Sequence, residues 1–266
     1  MSFSADWLAL RAPADDRARS RALIDRAAAA MAARQRPGET LRIVDLGAGT
    51  GATLRALSPH LPGPQEWLLV DADAALLAVA QASAEARAPG VRVATKVADL
   101  VADPAPWNAP PDLVTASALF DLASRAFVEA LADRLAADRI AFLTFLTYDG
   151  RLALDPPHPH DAAMIDAFNA HQRGHKSFGP ALGPEATDVL ADGLAARGHR
   201  VETEDSPWVL ERPRDDALMR AKLAGWADAA RERAPGDALI DGWLADRTER
   251  VERIVVGHRD LLALPA

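Results

Sequence analysis

The stretch Arg42–Leu57, RIVDLGAGTGATLRAL, constrains the fold of this chain more than any other. A run of β-formers ends in Asp45, glycines follow at alternate positions (Gly47, Gly49 and Gly51), and a helical pattern begins at Ala52. A strand that passes through such a turn into a helix gathers backbone N–H groups and the positive end of a helix dipole at one point above a sheet. That arrangement suits a polar ligand. Glycine is needed there so that the backbone can turn sharply and let the ligand come close. GAGTGA also satisfies the dinucleotide pattern G-x-G-x-x-A, so the turn alone leaves an NAD-dependent oxidoreductase open.

The rest of the chain alternates strand and helix, the signature of a mostly parallel sheet covered on both faces. A helix is expected over 17–35, closed by Pro37-Gly38. Strands are expected at LRIVDL, EWLLVDA, VRVATKVADL, DLVTASALF and RIAFLTFLTY, each apolar on both faces. Helices 52–60, 74–88 (ended by Pro89-Gly90) and 124–137 lie between them. After the fifth strand, residues 149–183 read as a mostly irregular, proline-rich insertion with one short helix near 161–172. Helix 184–197, a sixth strand HRVETEDSPWVL, helices near 214–233 and 236–249, and a last strand RIVVGHRDLLAL complete the pattern. With no separating linker, the reading is one α/β domain. Its parts are a helical cap segment 1–38, a ligand-binding core 39–148, the insertion 149–183 and a C-terminal half 184–266.

Composition narrows the function. A net charge of -8 disfavours a general electrostatic hold on nucleic acid. The absence of cysteine excludes disulfides, thiolate metal sites and a thiol nucleophile. The N-terminal residues carry acids where a secretory signal carries bases, and no apolar run is long enough to span a bilayer. The expectation is a cytoplasmic protein acting on a small molecule, without nucleic-acid or membrane partners.

Three acids sharpen the ligand. Asp71 ends strand 2, where a carboxylate accepts both hydroxyls of a ribose. Asp99 ends strand 3, where it accepts from an adenine amino group while Leu100 lies against the ring. Asp45, two residues before Gly47, carries a negative charge that suits a cationic ligand better than a pyrophosphate.

With these residues the chain resembles the class I S-adenosylmethionine-dependent methyltransferases. VDLGAGTG looks like their glycine motif, Asp71 like their ribose acid, Asp99 like their adenine acid and DLVTASALFDL like their strand 4 motif. The resemblance implies a Rossmann-like seven-stranded sheet in the order 3-2-1-4-5-7-6, strand 7 antiparallel, with S-adenosyl-L-methionine over the ends of strands 1 to 3. Cofactor contacts are then expected from Asp45, Gly47, Ala48, Gly49 and Gly51, from Asp71, Ala72, Asp99 and Leu100, and from Ser117. In many relatives an N-terminal segment closes over the cofactor, and Arg11 or Arg19 is expected to pair with the methionyl carboxylate. Strand 4 ends in Ser117-Ala118-Leu119-Phe120, not the Asn/Asp-Pro-Pro-aromatic tetrapeptide of the base-methylating enzymes, which favours an O or N atom of a small metabolite as acceptor. Binding of S-adenosylmethionine without catalysis is the remaining alternative.

The acceptor side is less defined. Asp121, Tyr148, Lys176 and Phe178 are the candidate substrate contacts, with Asp121 equally suited to capping the following helix. Four of the seven histidines fall in the insertion. His171 and His175, four apart, are the candidate general bases. His158 and His160 add an H-x-H pair, but Gly174 weakens the helix and no spaced carboxylate completes a metal set, so no metal is expected. A plain polar loop is the alternative for all four. Trp208 and Trp226 are expected in the core.

Overall fold

The computed structural model describes residues 3–36, 38–87, 90–234 and 236–266. Two helices, α1 (Ala5–Ala18) and α2 (Arg21–Arg34), precede β1 (Leu41–Leu46). The glycine turn leads into α3 (Ala52–Leu57), followed by β2 (Gln65–Asp71), α4 (Ala74–Arg87), β3 (Val91–Val97) and β4 (Leu113–Ser117). Then come α5 (Arg125–Ala137), β5 (Ala141–Asp155), α6 (Asp161–Gln172) and a two-residue hairpin, β6 (His175–Lys176) and β7 (Gly179–Pro180). The chain ends with α7 (Ala186–Ala196), β8 (His199–Asp205), β9 (Trp208–Glu211), α8 (Asp216–Arg233), α9 (Ala238–Arg250) and β10 (Arg253–Pro265).

The sheet runs β3-β2-β1-β4-β5-β10-β8, parallel from β3 to β5, with β10 antiparallel to both its neighbours. This is the expected order. Among the described residues the sheet nevertheless has eight strands, because the expected sixth strand is two. β8 pairs the second half of β10, β9 pairs Arg253–Val256, and Ser206-Pro207 lies between them. A proline has no N–H for the ladder, so pairing stops there and restarts. Helices pack on both faces around two apolar cores: one holds Leu23, Trp67, Leu143 and Trp226, the other Leu46, Phe120, Phe142 and Leu190.

Other expectations need correcting. The expected helix 17–35 is two helices with a break at Arg19-Ser20. The Ser20 side chain accepts the Leu23 N–H, and its own N–H is held by buried Asp260 at 2.7 Å, which makes the break a built N-cap. The segment ahead of it is the helix α1, capped by Ser4 and carrying Pro13 inside it. β3 is not buried on both faces: it is an edge strand, and none of its residues is fully buried. β5 runs seven residues beyond Tyr148 because the long β10 pairs with it up to Asp155. The expected stops at Pro37 and Pro89 lie outside the described residues. Trp208 and Trp226 are core, 3% and 2% exposed.

Candidate functional site

The carboxyl ends of β1, β2, β3 and β4 open onto a cavity of about 570 Å³ roofed by α1 and by Phe178 of the hairpin. Its floor is the glycine turn. Gly47 and Gly49 adopt φ of +63° and +51°, and a Cβ on Gly49 would lie 3.1 Å from Leu8 Cδ1. Any larger residue meets both the left-handed backbone and the roof. Ala118, at the end of β4, also sits at φ +51°, a strained value for a residue with a Cβ at the mouth of the same cavity.

Asp71 ties this floor together. The Gly49 N–H donates to its Oδ2 at 2.8 Å and the Asp73 N–H to its Oδ1 at 3.0 Å. The carboxylate is half-buried, and each oxygen keeps a lone pair for a further donor. Asp99 accepts the Val101 N–H at 2.9 Å and borders the cavity beside buried Leu100. Ala48, Ala72, Ser117 and Arg11 also line it. The fork of Arg11 is engaged by Asp15, at 2.9 and 3.1 Å, and its guanidinium lies over the Trp208 ring.

Several expected site residues stand elsewhere. Asp45 is fully buried beneath the turn, where Thr115 Oγ1 donates to its Oδ1 at 2.7 Å and Oδ2 has no protein partner. Burial pushes its carboxyl up to about 6. A β-strand alternates its side chains, and Asp45 points into the fold between Thr115 and Arg19 rather than at the cavity. Gly51 serves helix packing: it begins α3 at φ +77°, with Ala80 of α4 only 3.2 Å from where a Cβ would be. Arg19 is buried, over Phe145 and paired with Asp16 at 2.6 Å, and opens onto a different recess.

Five acceptor-side residues likewise stand off the cavity. Tyr148 is buried with its hydroxyl donated to Asn169 at 2.8 Å, and burial raises its pKa. Asp121 and Lys176 lie behind the cavity wall, not on it; Asp121 is 8% exposed, its carboxyl raised by burial to about 6. The last turn of α6 directs His171 at α8, 3.2 Å from Glu232, and the turn at Gly174 leaves His175 exposed. Neither histidine lines the cavity. His158 and His160 stack on each other at 5.3 Å at the start of α6. Among the described residues no group of three His, Asp or Glu is set to hold a metal.

The sequence reading missed Leu8, Asp15, Leu119 and Ser177, which line the cavity, and Lys222 and His258 behind it. Lys222 carried a signal: Leu218, Lys222 and Trp226 recur every four residues, which places a charge on the apolar stripe of α8.

Residues 43–138 match the family model described as a methyltransferase domain. This stretch, from β1 to the end of α5, is a methyltransferase domain. The match sets aside the oxidoreductase reading of G-x-G-x-x-A. No curated protein sequence matches the chain. Among solved structures, the chain is similar in fold to a cyclopropane-fatty-acyl-phospholipid synthase-like protein of Lactobacillus casei (17% identity, 94% of this chain and 98% of that one, TM-score 0.53). It is also similar to the cyclopropane synthase of Mycobacterium tuberculosis (16%, 91% and 83%, 0.50) and to a Bacillus halodurans protein described as a methyltransferase (14%, 90% and 98%, 0.50). At these identities the likeness is one of fold. No helix among the described residues is long and apolar enough to cross a membrane.

Proposed function

We propose that this cytoplasmic enzyme binds S-adenosylmethionine in the cavity over β1 to β4 and methylates an oxygen or nitrogen of a small metabolite. The observation that carries the reading is the convergence of Gly49, Asp71 and Asp99 on one cavity of a size that suits a nucleoside-containing ligand. The fit is supported by the glycine cradle, which a Cβ would fill, and by the free lone pairs of Asp71. When bound, S-adenosylmethionine supplies a methyl group already activated by a sulfonium.

The protein's own task is therefore mostly positional. Asp71 holds the ribose hydroxyls, Asp99 and Leu100 hold the adenine, and Gly47 to Gly49 let the backbone approach. Leu8 and Phe178 exclude water, and the acceptor enters beyond β4, between Leu119, Leu122 and Ser177. Alignment of acceptor and methyl group supplies the larger part of the acceleration in such a transfer. Titration calorimetry with S-adenosylhomocysteine, followed by a screen of small acceptors with methyl-labelled S-adenosylmethionine, tests the reading. No binding would end it; binding without turnover on any acceptor would leave a cofactor-binding protein.

A further inference from the structure

Behind the acceptor side of the cavity stands a cluster of a lysine and three aromatic rings that the foregoing reading does not use. Lys222, on the buried stripe of α8, holds its Nζ 5.4 Å from the Phe168 ring, 5.5 Å from Trp226 and 5.9 Å from Trp208. Among the described residues its ammonium has no ion pair and no hydrogen bond. Ring faces offset part of the cost of removing an ammonium from water, but they offer none of the three acceptors that its N–H groups need. Lys222 is half-buried, not sealed in the core as Trp208 and Trp226 are.

Charge points the same way. Arg11 is matched by Asp15, and exposed Glu232 is held to His171. Lys176 faces Glu232 as well as Asp121, whereas Asp121 is the carboxylate that Lys222 faces, and among the described residues the two form no ion pair. His258, behind Arg11 and Lys222, is held neutral by burial and by those two cations, so it adds none. The cluster adjoins the cavity at two places: Arg11 lies over the same Trp208 ring as Lys222, and Asp121 stands between Leu119 and Leu122 of the cavity wall.

Resting on the methyltransferase reading above, we propose that the methyl acceptor is an oxyanion, a carboxylate or phosphate compound, whose anionic group seats on Lys222 between Phe168, Trp208 and Trp226. The rings then flank the apolar part of the acceptor, and its nucleophilic atom extends past Asp121 and Leu119 to the methyl group. Burial and the neighbouring Arg11 hold the Lys222 ammonium down to about 8. A seated anion opposes both effects, so binding near pH 8 takes up a proton.

The test uses the full chain saturated with S-adenosylhomocysteine, with benzoate and phenyl phosphate as anionic probes and benzamide and benzyl alcohol as neutral ones. In the wild type an anionic probe saturates at millimolar concentration, at least about tenfold more tightly than its neutral counterpart, as expected for hydrogen bonds to a charged group. Calorimetry in two buffers of different ionisation enthalpy registers the proton uptake. Lys222→Met removes the preference and the uptake, Lys222→Arg keeps the preference, and the affinity for S-adenosylhomocysteine is the same in all three proteins. The proposal is overturned if anionic and neutral probes bind alike or not at all, or if the preference survives Lys222→Met. A loss of S-adenosylhomocysteine affinity in Lys222→Met overturns it too, because the anion on Lys222 would then be the cofactor's own carboxylate. Failure of the wild type to bind S-adenosylhomocysteine shows before any probe is added, and it removes the underlying reading as well.

Discussion

Asp71→Ala should separate the structural role of this carboxylate from its ligand role. Without ligand, the side chain accepts two backbone N–H groups, from Gly49 at 2.8 Å and Asp73 at 3.0 Å. Because the group is half-buried, each lost bond costs about 1 kcal/mol, about 2 kcal/mol together. For a chain of this size that lowers the melting temperature by roughly 4 to 8 °C. The ligand term adds to it. S-adenosylhomocysteine at 100 times its dissociation constant stabilises the wild type by about 2.7 kcal/mol. Losing hydrogen bonds to a charged acceptor weakens binding by about 2 kcal/mol, roughly 30-fold. At the same ligand concentration the stabilisation then falls to about 0.9 kcal/mol, so a shift of roughly 5 to 10 °C becomes roughly 2 to 4 °C. Thermal melts of both proteins with and without S-adenosylhomocysteine measure the two quantities independently. An unchanged ligand-free melting temperature would show that Asp71 does not brace the turn, and an undiminished ligand shift would refute its role toward the ribose.

Gly49→Val forces a β-branched residue to φ +51° with its Cβ against Leu8, and should abolish thermal stabilisation by S-adenosylhomocysteine; a wild-type shift would count against the cavity as the cofactor site. His171→Ala and His175→Ala should leave turnover within about threefold of wild type, since neither histidine lines the cavity, whereas a loss of about 100-fold would restore a histidine base. Asp121→Asn tests the buried carboxyl through pH. A folded-state value raised from 3.8 to about 6 means that the folded protein binds this proton more tightly than the unfolded chain does. Stability from this group is therefore lost as pH rises from about 4 to about 6, and the variant should gain up to ~3 kcal/mol above that window and nothing below it. Chemical denaturation at pH 7 and pH 4 checks the sign, and an equal effect at both would contradict it.

The local chemistry of the cofactor side was legible in the sequence, because each of its elements is written in consecutive residues. The strand, glycine turn and helix at 42–57, and the acids at the ends of the next two strands, follow from backbone rules that act over a few positions. Gly47, Gly49, Asp71 and Asp99 reach the cavity for that reason. The resemblance those motifs carried also anticipated the order of the sheet. Where local rules compete, the reading slipped. Pro13 and the charges around it hid α1, and Pro207 divided a strand that alternation alone would continue.

What only the tertiary structure decided is which side chains share a space. Asp45 and Arg19 carry the right charges near the right motif, yet strand alternation and the Ser20 cap turn both into the interior. The histidines are clustered in sequence but dispersed by α6 and the hairpin that follows it. Conversely, Arg11, Asp121, Lys176, Lys222 and His258 come from across the chain and gather at and behind the cavity wall. Their proximity depends on how α1, the turn after β4, the hairpin, α8 and β10 pack, and burial by that packing moves Asp121 to about 6 and Lys222 to about 8. Spacing along the chain records helix and strand periods, whereas desolvation is a property of the assembled interior.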